Sequence, residues 1–115
     1  MAKKDQLVDE ALIREMLYDD DTYVKEFSNA SIQSFSEFKQ NFKESVLSRD
    51  MDELRRAGHK IKPVVMMLHL DPIIEMYEKS KTYLEENKST EELADLSRDM
   101  ETYCERVIAE FHELI

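Results

Sequence analysis

The sequence predicts an all-α fold: an antiparallel up-down four-helix bundle with a short extra helix at the N-terminus. Three observations lead there. Apolar residues recur at three- and four-residue steps along most of the chain. Glycine and proline number one and two, which argues against a many-turned β sandwich or barrel. The breaks carry helix-capping residues and leave only short connections. With 115 residues, 37% charged and 42% hydrophobic, the chain can fill one modest core, so residues 1–115 are expected to form a single domain.

The elements follow in order. A first short helix is expected over residues 5–17, with Leu7, Ala11, Leu12 and Met16 on one side, as a lid. Asp19, Asp20 and Asp21 end it and cap the next. The second helix is expected over 21–48, with a stripe of Val24, Phe27, Ser31, Phe35, Phe38, Phe42 and Val46. The third starts at Asp50, whose Glu53 completes a capping-box spacing, and ends between Leu68 and Leu70. Asp71 and Pro72 read as a capping acid and a first-turn proline for the fourth, which carries Ile73, Met76, Tyr77, Ser80, Tyr83 and Leu84. Ser89 and Glu92 box the start of the last, whose stripe is Leu93, Leu96, Met100, Tyr103, Val107, Phe111 and Leu114.

Composition excludes several functions. One glycine leaves no room for a Walker loop, a G-x-G-x-x-G fingerprint or a G-x-S-x-G elbow. A net charge of −10 repels phosphate backbones, so no nucleic-acid partner is expected. The longest strictly apolar run after Pro63, Val64 to Leu68, is far too short to span a bilayer, and the N-terminus lacks a signal-peptide stretch. Cys104 is the single cysteine and reads as core filling in a reducing compartment, so a cytoplasmic chain is expected.

One segment breaks the acidic pattern. Residues 54–70, LRRAGHKIKPVVMMLHL, hold no Asp or Glu, yet contain Arg55, Arg56, Lys60 and Lys62 around His59. Such a local reversal of sign suits an anion. At about 100° per residue, Leu54, Gly58, Val65 and Leu68 lie within about 60° of Ile61 and form the core line. His59 falls about 160° away, with Lys62, Arg55 and Met66 on one flank and Pro63 and Arg56 on the other. The imidazole is therefore expected in solvent, inside a basic patch. The plainer alternative is a solvated charged face.

The chemistry open to this histidine is narrow. A helical di-iron motif needs Glu three residues before His; those positions are Arg56, Met66 and Ala109, so no metal is expected. One Cys and three scattered His make a weak zinc set. Phosphoryl chemistry fits better. A neutral imidazole nitrogen is a nucleophile toward phosphorus, and Lys62 at i+3 is placed to offset the charge it would then carry. His69 is expected at a helix end and His112 on the surface.

The run Gly58-His59-Lys60-Ile61-Lys62-Pro63 resembles the signature of histidine-containing phosphotransfer (HPt) domains, His-x-x-Lys-Gly with a small residue in front. The likeness extends over most of the chain: a short leading helix, an acidic break, an aromatic-rich helix, an Asp-started helix carrying the histidine, and a final amphipathic helix. It implies a four-helix bundle with an extra N-terminal helix that carries phosphate between receiver domains. His59 would be the phosphoacceptor and Lys62 the stabilising neighbour. Many members place a polar residue near the imidazole on the following helix, and Lys81 falls about there. Arg55, Arg56, Lys60, Pro63 and Met66 would form the docking rim for the receiver of a response regulator or hybrid histidine kinase.

The resemblance implies a phosphocarrier and not a complete enzyme. It is expected as a monomer without a cofactor of its own, any Mg2+ being held by the receiver's acids. Pro63 departs from the family glycine. Its ring crowds the His59 carbonyl and can kink the helix at a cost of about 3 kcal/mol. Two alternatives therefore stand: an impaired HPt-like module that binds receivers without transfer, and an unrelated helical adaptor.

Overall fold

The computed structural model describes residues 6–115. The described residues are all-helical, in five helices: α1 (Glu10–Met16), α2 (Asp21–Leu47), α3 (Met51–Met67), α4 (Asp71–Glu85) and α5 (Thr90–His112). At about 1.5 Å per residue α2 is about 40 Å long. It therefore runs most of the 47 Å length of the molecule. Helix α2 packs on α5 and α3, α3 on α4, and α4 on α5, so the four long helices close on one another. None of the helices is long and apolar enough to cross a membrane, among the described residues.

The core is where the stripes predict. Phe35, Phe42, Val46, Leu54, Val65, Ile73, Met100, Val107 and Phe111 are fully buried. The seam between α2 and α5 is aromatic: the Phe111 ring stacks on Phe35 at 6.1 Å and meets Phe27 edge-on at 6.0 Å. Burying such side chains is worth about 1.5–3 kcal/mol each. Ser28 and Ser45 also face inward, each hydroxyl donating to a carbonyl one turn back (Val24 at 2.7 Å and Asn41 at 2.6 Å), so neither is left unsatisfied. Cys104 is buried among these residues, and burial pushes its thiol up to about 12.

Three caps form as the spacing predicts. Asp20 accepts from the Tyr23 amide at 3.0 Å, Asp50 from Glu53 at 3.1 Å and Ser89 from Glu92 at 3.1 Å. The fourth differs. Leu70, not Asp71, occupies the cap of α4, with no side-chain hydrogen bond. The physical reason lies in the turn before it. Arg49, His69 and Asn87 each sit in the left-handed region, at φ 58°, 56° and 53°. The following amides reach back five residues, Asp50 to the Ser45 carbonyl, Leu70 to Val65 and Lys88 to Tyr83, as in Schellman motifs. In the middle one, Leu70 is the buried apolar anchor that closes the motif, and Asp71 is displaced into the first turn of α4.

The leading helix is shorter than expected. It begins at Glu10, capped by Asp9, and its buried residue is Ile13; Ala11 is exposed. The expected start at residue 5 lies outside the described residues. Before α1, the Glu110 carboxylate accepts from the Leu7 and Val8 amides at 2.8 and 2.7 Å, and these donors hold the segment to α5. Arg14 then bridges to Glu10 at 2.9 Å and to Asp19 and Asp21 at 3.2 and 2.9 Å, tying α1 to the start of α2. The Glu10 hydrogen bond first, and that of Asp21 next, push the guanidinium pKa above its ordinary value.

Two outcomes follow. His69→Gly should raise stability by about 0.5–1 kcal/mol in urea unfolding, because glycine takes the left-handed position without a Cβ penalty. Cys104 should resist alkylation in the native state well above the ordinary thiol range. Its raised pKa means that the folded state holds the proton longer than the unfolded one. Its contribution to stability is full below about 9 and declines as pH climbs from there toward about 12.

Candidate functional site

The acid-free segment forms most of α3, which runs unbroken through Pro63. Its core line is Leu54, Ala57, Gly58, Ile61 and Val65; Ala57, about 40° from Ile61, joins the residues named from the wheel. His59, Lys62, Arg55, Arg56, Lys60, Pro63 and Met66 are exposed on the other side. Proline has no N–H, so the His59 carbonyl cannot receive the usual helical bond from residue 63. His59 and Lys62 are helical neighbours, with Cβ atoms about 5–6 Å apart.

The structure sorts the basic residues into three groups. Arg56 and Lys60 line a groove of about 320 Å³ between α2 and α3, whose other wall includes Asn41, Glu44 and Ser48. Within it Arg56 is paired with Glu53 at 2.7 Å. Arg55, Lys60 and Lys62 have no ion pair, and His59 no side-chain hydrogen bond, among the described residues. Lys81, on α4, is already engaged: its Nζ lies 3.0 Å from the Glu78 carboxylate and 4.8 Å from the centre of the Tyr77 ring, which packs on Gly58.

Tyr77 and Glu78 are the residues that the wheel of α3 could not reveal. The Tyr77 ring lies directly on Gly58. A Cβ built at residue 58 would fall inside the contact radius of the ring carbons and 2.6 Å from the Tyr77 hydroxyl. The backbone next to His59 thus approaches α4 more closely than any other residue type would allow. Glycine inside a helix costs about 1 kcal/mol relative to alanine, which makes its position informative. The i, i+4 spacing of Tyr77 and Lys81 and the i, i+3 spacing of Glu78 and Lys81 were visible in the sequence, but not their register against α3.

This face of α3 therefore carries an exposed imidazole, ammonium and guanidinium groups without an ion pair among the described residues, and an exposed Met66 and Pro63, while on α4 Lys81 is held by Glu78 and Tyr77. Such a face can accept an anionic group on nitrogen and dock an acidic partner. No group of three or more His, Cys, Asp and Glu is placed to hold a metal, among the described residues. No protein-family model, curated protein or solved structure matches the chain.

Gly58→Ala should destabilise the fold by about 1–3 kcal/mol through overpacking against the Tyr77 ring. Urea unfolding measures the loss. The aromatic NMR signals of Tyr77 should shift in the same variant.

Proposed function

We propose that this chain is a histidine phosphotransfer protein of a two-component phosphorelay. His59 takes a phosphoryl group from the aspartate of one receiver domain and passes it to another. The observation that carries the proposal is the exposed imidazole of His59 on the acid-free face of α3, with the Lys62 ammonium, unpaired among the described residues, one turn further on. The all-helical fold supports it. We take its finer arrangement to be an antiparallel up-down four-helix bundle with α1 as the extra N-terminal helix, which the three-residue connections between α2 and α3 and between α3 and α4 favour.

In the forward step the imidazole lone pair attacks phosphorus of the receiver's acyl phosphate. The N–P bond forms as the P–O bond breaks, and the aspartate leaves as carboxylate. The other ring nitrogen then releases its proton to water. Lys62 offsets the charge on the new phosphoryl oxygens, and Lys81 supports it. Arg55, Arg56 and Lys60 supply the charge complement of an acidic receiver pocket, and Pro63 with Met66, which is 59% exposed, supplies an apolar centre. The chain itself is a cytoplasmic, monomeric carrier: half of each transfer site, including any Mg2+, belongs to the receiver.

Pro63 favours a second reading, a module that binds receivers without accepting phosphate, because its ring stands where a close-fitting partner would approach. One assay separates the two. A receiver charged with acetyl phosphate and Mg2+ should transfer an alkali-stable, acid-labile label to the wild-type chain. His59→Gln should abolish it at unchanged helicity, and Lys62→Met should slow transfer about two- to fivefold. Receiver binding without label, even after Pro63→Gly, would select the second reading. Neither binding nor label from any receiver would overturn both.

A further inference from the structure

Resting on the phosphocarrier reading, we infer that Tyr77 is a positioning residue of the His59 site: its ring, seated on Gly58, holds the Lys81 ammonium in reserve against Glu78 until a phosphoryl group arrives. Three observations converge. The ring occupies the space that a side chain at residue 58 would take, so α4 is pinned to α3 at the residue preceding His59. The Lys81 Nζ lies over that same ring at 4.8 Å and pairs with Glu78 at 3.0 Å. The Lys81 side chain is only 25% exposed, against 55% for Glu78, so the cation is the more enclosed partner.

Helix geometry gives the direction. Side chains lean toward the N-terminus of their own helix, so the Lys81 ammonium returns along α4 to the level of Tyr77, where α4 meets Gly58. A charge held by one exposed carboxylate and one ring face is weakly held. A phosphoryl group on His59 brings two negative charges to the next residue and competes with Glu78 for the ammonium. Once transferred, Lys81 raises the energy of protonating the phosphoimidazole. It thereby slows hydrolysis, in which water attacks phosphorus, the N–P bond breaks and the imidazole takes up a proton.

The test needs no partner protein. Phosphoramidate transfers its phosphoryl group to imidazole with loss of ammonia, and the lifetime of the labelled full chain is followed by 31P NMR. Lys81→Met and Tyr77→Leu should each shorten it about two- to fivefold, and the double variant no further, because both remove one interaction. Tyr77→Phe should keep the wild-type lifetime, since the ring face remains. Glu78→Gln should lengthen it, and only while Lys81 is present. A lengthening cannot come from loss of fold, so this variant decides the matter if Tyr77→Leu proves unstable. Wild-type lifetimes in Tyr77→Leu, multiplicative losses in the double variant, or an unchanged lifetime in Glu78→Gln would overturn the inference and leave the phosphocarrier reading standing. Absence of label from the wild-type chain, or its persistence in His59→Gln, would overturn the phosphocarrier reading itself.

Discussion

The contact between Gly58 and Tyr77 constrains everything around the site. Glycine is scarce in this chain, and its placement is unusual in one respect. Three turns that most often recruit it, at Arg49, His69 and Asn87, adopt left-handed backbone with other residues. The single glycine stands instead inside α3, where it weakens the helix and where a side chain would strike an aromatic ring. Close approach of two helices is thus secured at the residue before His59, while the three turns separately carry the cost of left-handed backbone without glycine.

That approach divides the basic face of α3. On one side Arg56 and Lys60 look into the groove shared with α2; on the other, α4 presents Tyr77, Glu78 and Lys81. Between them Lys62 and Arg55 have no counter-ion among the described residues. In a chain of net charge −10, unpaired cations beside an imidazole form a local inversion of the protein's own field. The inversion arises from the absence of acids in one segment, so it is a property of α3 alone and needs no long-range arrangement.

Much of this was legible in the sequence, for a definite reason. Period and capping are local, and four of the five helices keep the bounds their stripes and capping residues suggest to within a few residues. The exposed side of α3 followed from rotation alone. What failed was decided by contacts distant in sequence. Leu70 displaced Asp71 from the cap because it is drawn into the core, and the segment before the Asp9 cap spends its Leu7 and Val8 amides on Glu110, about a hundred residues away. The Tyr77 platform depends on the register of α4 against α3, which no periodicity within either helix encodes.

The hold of Glu110 on the leading segment has a consequence of its own. The carboxylate grips main-chain nitrogens at Leu7 and Val8, which every amino acid but proline offers equally. Replacement of either side chain leaves the clasp intact, although Val8 also contributes apolar burial. The polar part of this attachment is therefore written at one acidic position near the far end of the chain, while the apolar part stays with Val8 and Ile13.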